Sequence, residues 1–136
     1  GAKSSDSNWK GGKLEGVETK WYENGQKHFE ATYVDGRREG LQTGWYETGA
    51  KEAEVSWKGG KPEGRATYWH SNGKRRSEFG SRGGRSGALT TWRENGQKHS
   101  EASLRNGEFE GPVVFFDEDG KKSGEVLIDA GMPATK

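Results

Sequence analysis

The sequence predicts an all-β fold: an elongated, twisted, single-layer antiparallel sheet of about five tandem β-hairpin repeats with a period of 24 residues. Three observations predict it. Glycines recur at fixed spacing, aromatic residues recur in the same register, and the segments between glycines alternate apolar and polar residues at period two. Helix is excluded because each repeat carries two or three glycines, each costing about 1 kcal/mol inside a helix.

The repeat is defined by several parallel series. Gly16, Gly40, Gly64, Gly87 and Gly111 are spaced by 24, 24, 23 and 24 residues. Gly25, Gly49, Gly73, Gly96 and Gly120 keep the same steps, as do Glu30, Glu54, Glu78, Glu101 and Glu125. A further series runs Gly12, Gly36, Gly60, Gly83, Gly107 and Gly131. Trp21, Trp45, Trp69 and Trp92 repeat likewise, with Phe116 in the fifth place. The organisation that follows is a flexible lead-in over residues 1–8, a repeat domain over 9–131 and a tail over 132–136. Within the lead-in, KSSDSN (Lys3 to Asn8) reads as a solvated stretch.

Each repeat reads as two strands. The first follows the Glu-Gly pair, as in VETKWY and LQTGWY; the second follows the next glycine, as in QKHFEATY and AKEAEVSW. The turn between them ends in Glu-Asn-Gly, Glu-Thr-Gly, Ser-Asn-Gly, Glu-Asn-Gly and Glu-Asp-Gly. A two-residue type I′ turn would force the β-branched Thr48 to positive φ, whereas a type I turn with a glycine bulge needs positive φ only at the glycine. The second form is expected, pairing Tyr22 with Gln26 and Trp21 with Lys27. From that pairing, Trp21, Thr19 and Val17 are expected on one face with Phe29, Ala31 and Tyr33. Lys20, His28, Glu30 and Thr32 fall on the other, and a one-residue slip would exchange the sets. The fourth hairpin lacks one residue between Gly73 and Gly83 and the aromatic expected near Ser81. Its glycine-rich stretch GSRGGRSG (Gly80 to Gly87) reads as a weakened, bulged or mobile repeat.

The quoted pattern WYENGQKHFEATYVDGRREG, repeated from about Trp9 to Ile128, resembles the variant MORN repeat, a "G…y.enGk…e..y.nGk.eG" unit. The resemblance implies an elongated, curved antiparallel sheet. For function it implies scaffolding, a protein partner or association with membranes. Bacterial variant-MORN proteins often carry an antitoxin-like label, so an antitoxin or immunity-type protein is a further reading it implies. Others are secreted or lipid-anchored; cell envelope, periplasm and cytoplasm all stay open.

Composition narrows the classes of function. Hydrophobic residues make up 27% of the 136 residues, against about 45–50% in an ordinary globular domain, a figure that also counts Gly, so no thick core is available. A net charge of +1 sets up no overall field toward nucleic acid, and no nucleic-acid motif is present. Charge is uneven along the chain: from Lys61 to Arg85 there are seven basic and two acidic residues, and from Glu101 to Ala130 three basic and eight acidic. With no cysteine there is no disulfide, thiol nucleophile or thiolate metal site. No apolar run reaches the roughly 18 residues of a membrane-spanning helix. The chain opens on Gly-Ala and not Met, as expected of a processed form from which any signal peptide has gone.

No reactive constellation is legible, and neither an enzyme nor a cofactor is expected. His28 and His99 stand at equivalent positions three repeats apart, some ~30 Å at the usual strand spacing, and His70 occupies another position. The glutamate series recurs at ~10 Å, slightly beyond the ~6.5–9.5 Å between the carboxylates of inverting glycosidases. Each of these glutamates follows a Lys or Arg by three residues and is expected to pair with it across strands. No G-x-S-x-G elbow or phosphate loop is present.

Two surfaces remain as binding candidates. Trp21, Trp45, Trp69 and Trp92 form either an apolar strip for a partner chain or sugar ring, or the thin core of the sheet itself. Lys74, Arg75, Arg76, Arg82 and Arg85 form either a contact for acidic lipid or a phosphate-rich partner, or a solvated turn. The leading expectation is a non-catalytic protein-interaction module, with anionic-membrane contact through the fourth repeat as the alternative. Edge-to-edge self-association through Val126–Ile128 is a further expectation, because an open sheet has unpaired end strands.

Overall fold

In the computed structural model, residues 5–82, 86–129 and 132–133 are described. Among them every regular element is a strand. β1 (Ser5–Asp6) is followed by a small separate hairpin of β2 (Trp9–Lys10) and β3 (Lys13–Leu14). The first repeat is β4 (Gly16–Trp21) and β5 (Lys27–Val34), with the short β6 (Arg37–Arg38) after it. β7 (Gly40–Trp45) and β8 (Lys51–Lys58) make the second, β9 (Lys61–Trp69) and β10 (Arg75–Arg82) the third, and β11 (Ser86–Trp92) and β12 (Lys98–Arg105) the fourth. After β13 (Glu108–Phe109) come β14 (Pro112–Phe116) and β15 (Lys122–Asp129), then β16 (Met132–Pro133). All principal strands join one open antiparallel sheet in chain order. The sheet reaches past the expected boundaries at both ends: Ser5 and Asp6 of the lead-in pair with Lys20 and Thr19, and Met132 and Pro133 of the tail pair with Asp129 and Ile128.

The long turn has the expected form. Gly25 N donates to Tyr22 O at 3.0 Å and Tyr22 N to Gln26 O at 2.9 Å. Gly25 has φ 88° and Trp21 pairs with Lys27. The same pair of bonds closes all five hairpins, from Tyr46 and Gly49 to Asp117 and Gly120. Asn24 Oδ1 accepts from Gln26 N at 2.9 Å, an Asx bond that favours this turn locally.

The face assignment is overturned by a second irregularity one residue beyond the turn. Trp21 pairs with Lys27, but Lys20 pairs with Phe29, so His28 is an extra residue on its strand. A β-bulge of this kind reverses the alternation of everything after it. Thr19 now faces Glu30, and Glu18 faces Ala31. Trp21, Thr19 and Val17 therefore share a face with Lys27, Glu30 and Thr32, while Phe29, Ala31 and Tyr33 lie on the opposite face with Lys20. The bulge recurs at the same step between β7 and β8, β9 and β10, β11 and β12, and β14 and β15.

Successive repeats are joined by a different turn. Asp35 and Gly36 have φ 52° and 79°, and Asn106 and Gly107 have 54° and 84°, the two positive values of a type I′ hairpin. Past the tip, Tyr33 pairs with Arg38, whereas Glu30 pairs with Thr43, so two residues are absorbed around Gly40 at φ 85°. The tip thus turns out of the main strand line. Gly36 N donates to Leu14 O and Gly60 N to Arg38 O, which ties the second tip to the first and the third to the second.

The junction between the third and fourth repeats departs in the opposite sense from a bulge. β10 and β11 pair without a break from Ser77–Thr91 to Arg82–Ser86. Here the missing residue removes the corner and leaves a straight junction. Ser81 stands where Tyr33, Trp57 and Leu104 stand in other repeats, and Phe79 replaces Ala31, Val55 and Ala102. Bulk is moved two residues along the same face. Gly83, Gly84 and Arg85 lie outside the described residues.

There is no separate core layer. Ala31, Tyr33 and Val55 are buried on one face, and Thr19, Thr43 and Thr67 on the other. No side chain of the described residues is fully buried and large, as the low apolar content requires.

Candidate functional site

The bulge creates an ordered surface on the tryptophan face. Thr19, Glu30, Thr43, Glu54, Thr67, Glu78, Thr90 and Glu101 pair in unbroken succession across the strands. Val114 and Glu125 complete the row. Thr19 Oγ1 donates to Glu30 Oε2 at 3.1 Å. The same bulge brings a cation beside each carboxylate: Lys27–Glu30 at 3.0 Å, Arg75–Glu78 at 3.4 Å, Lys98–Glu101 at 3.0 Å and Lys122–Glu125 at 3.0 Å, with Lys51–Glu54 alike. These pairs run along one strand and not across two, because three residues containing a bulge span what two would in a regular strand.

A second row alternates rings with cations. Lys27 lies 5.8 Å from the Trp45 ring centre, Arg75 4.4 Å from Trp92 and Lys98 5.6 Å from Phe116. Trp21, Trp45, Trp69 and Trp92 are each half-buried. The rings are interleaved with side chains of the neighbouring repeat, a packing in which cation–π contacts contribute about 0.5–1 kcal/mol at exposed sites. Beside these rows Val17, Leu41 and Leu127 remain 44%, 53% and 57% exposed.

The residue after each tryptophan links one repeat to the next. Tyr22 Oη donates to Trp45 O at 2.6 Å, Tyr46 Oη to Trp69 O, His70 Nε2 bonds Trp92 O at 2.9 Å and Arg93 Nη2 donates to Phe116 O at 3.1 Å. The sequence holds this signal as a further series at the repeat spacing, which glycine and tryptophan counting passes over. Burial, and then the Glu52 and Glu47 carboxylates, push the Tyr22 phenol above its ordinary 10.0. The unfolded phenol therefore ionises first. Its contribution to stability is whole below pH 10 and is lost as pH rises through the higher native value. Thermal melts from about pH 9 to about pH 12 are expected to fall more steeply for the wild type than for Tyr22→Phe; parallel curves would contradict this.

The predicted basic cluster is divided. Arg75 pairs with Glu78 and lies on Trp92. Arg76 is the bulge residue and approaches Tyr68, on the opposite face. Lys74 Nζ donates to Asn95 O at 3.1 Å at the turn. The Arg82 side chain and Arg85 lie outside the described residues. The histidines serve three different hairpins: His28 stacks on Tyr22 at 4.3 Å, His99 meets Phe115 edge-on at 5.8 Å, and His70 holds Trp92 O.

Both rims of the sheet carry both signs of charge. The long turns line one rim, with Glu23, Glu47, Glu94, Glu118 and Asp119 exposed beside Lys74 and Lys121. The short tips line the other rim, with Lys10, Lys13, Arg37, Lys58, Lys61 and Arg105 exposed beside Asp35, Glu108 and Glu110. There Asp35 N donates to Glu15 Oε1 and Gly59 N to Glu39 Oε1, and Arg105 pairs with Glu110 at 3.5 Å.

Residues 14–35, from the corner before β4 to the tip after β5, match the profile of the MORN repeat variant family. That segment is similar to a MORN repeat. The hairpins after it keep the MORN unit's long turn and its bulge. No curated protein matches the chain at a significant level. A match to this repeat family suggests a repeat-based binding module.

Proposed function

We propose that the chain is a non-catalytic scaffold that holds a protein partner along its tryptophan face. The supporting observation is the threonine–glutamate row, in which a glutamate recurs every second strand between threonines of which Thr19, Thr43 and Thr67 are buried. The adjoining Val17 and Leu41 stay about half exposed and supply apolar contact beside it. The glutamates are engaged by lysine or arginine, which suits a recognition surface better than acid–base chemistry. Contact of the basic Lys74–Arg85 segment with an anionic membrane is a weaker reading, since Arg75 and Arg76 point to opposite faces and Arg75 is held by Glu78.

The test is affinity capture from an extract of the native source, with wild-type protein beside a Val17→Glu/Leu41→Glu variant. Both positions are exposed, so circular dichroism and melting temperature should match the wild type. A protein retained in stoichiometric amount by the wild type and lost by the variant is expected. Equal retention by both, or none by either, counts against this face.

A further inference from the structure

Between the second and third short tips lies an open cleft of about 410 Å³, lined by Tyr33, Gly36, Arg37, Arg38, Trp57 and Gly60. Tyr33 pairs with Arg38, and Trp57 stands in the second repeat where Tyr33 stands in the first. The cleft is therefore on the face opposite the tryptophan row. The Arg38 guanidinium lies 4.9 Å from the Trp57 ring centre and 5.9 Å from that of Phe29. Its Nε donates to Tyr33 Oη at 3.3 Å; Tyr33 Oη donates to Glu18 Oε1 at 3.5 Å, and Ser7 Oγ to Glu18 Oε2 at 2.9 Å. This chain holds the guanidinium by one edge. Its Nη1 and Nη2 have no partner among the described residues, and Arg38 enters no ion pair there. The carboxylates at hand are engaged elsewhere: Glu18 stands behind Tyr33, and Glu39 Oε1 accepts from Gly59 N at 2.9 Å.

A half-buried cation is ordinarily paired. In the same wall Trp57 Nε1 is enclosed without an acceptor. Nor does the repeat itself call for an arginine: Leu14, Pro62, Phe109 and Pro133 stand in the place of Arg38 at the other described tips. We propose that this cleft binds a carboxylate carried on an apolar group, with Arg38 as its counter-ion. Nη1 and Nη2 form a fork that donates two parallel bonds to the two carboxylate oxygens. One guanidinium without a counter-ion matches a single negative charge. The rings of Trp57 and Tyr33 give the carbon skeleton a surface to lie on. The site is on the face that the proposed partner surface does not use, so it stands or falls apart from that reading.

NMR titration of the full chain tests it, read at the Trp57 indole N–H and the Arg38 Nε–H. The probes are 3-phenylpropionate, N-acetylphenylalanine, the uncharged amide of the latter, and inorganic phosphate. Both carboxylates are expected to shift the two signals to saturation in the millimolar range, and the amide and phosphate to leave them in place. Tighter binding of N-acetylphenylalanine assigns the site to a peptide C-terminus, and tighter binding of 3-phenylpropionate to a small organic acid. Arg38→Gln should weaken binding about tenfold or more, and Arg38→Lys, which keeps the charge without the fork, by less. Arg37→Gln, at an exposed neighbour, should bind as the wild type does. Circular dichroism verifies that each variant folds, and the amide control reads the same contact in the wild type. No saturable shift with either carboxylate overturns the proposal, as does undiminished binding by Arg38→Gln. So does an equal response to the amide or a stronger one to phosphate.

Discussion

Gly87→Ala is expected to lower the melting temperature by about 10 °C, more than any other glycine-to-alanine change in the fourth repeat. A methyl group on Gly87 would be built into the carbonyl of Gly80 on the neighbouring strand, and its φ of 154° is one that side chains seldom adopt. Backbone strain and overpacking of this kind together cost on the order of 3 kcal/mol. For a chain of 136 residues, each kcal/mol is worth about 3.5 °C. Gly80 is the internal control. A methyl group there meets nothing within 4 Å, and Gly80→Ala should stay within about 0.5 kcal/mol of the wild type. Differential scanning calorimetry of both variants decides the matter; equal melting temperatures would mean that the straight junction between β10 and β11 yields without cost.

The second large effect is expected from replacing Trp45 and Trp69 together. Each ring is half-buried, and Lys27 of the preceding repeat lies against Trp45. A fully enclosed tryptophan costs about 3–5 kcal/mol on truncation to alanine. Half-burial brings this to about 2 kcal/mol each, with some coupling because the rungs adjoin. A loss near 4 kcal/mol is a large share of the roughly 5–15 kcal/mol that holds a domain together. Urea denaturation should show the midpoint falling steeply. A double variant as stable as the wild type would instead make the rings a free docking strip.

The period, the strand pairs and the long turn were legible in the sequence because each has a chemical marker. Thr48 excludes one turn type, and Gly25 permits the other. The bulge at His28 has no such marker. Phe29, Ala31 and Tyr33 make an apolar stripe whichever face they occupy, so the coherence of that stripe could not reveal the slip. The repeated Lys-x-x-Glu spacing was the better witness. On a regular strand those residues point to opposite sides, and a pair conserved through every repeat of the chain implies an extra residue between them. The short turns were also marked, by Gly11–Gly12, Asp35–Gly36, Gly59–Gly60 and Asn106–Gly107. The straightened fourth junction was not, since loss of one residue is as compatible with a bulge as with its removal. Arg75 and Arg76 of the candidate basic cluster part for the same reason that the faces exchanged: Arg76 is itself the bulged residue.

Every principal strand pairs only with its neighbours in the chain, and partners as far apart as Gly16 and Tyr33 are among the most distant. For a β-protein this is a low contact order, and the slow search for remote partners that delays most β-folds does not arise. A hairpin leaving the ribosome can close at once and serve as the template on which the next one zips, with the Tyr22–Trp45 bond as the first stitch between them. Growth would then follow the direction of synthesis, and the order of assembly would be written in the order of translation.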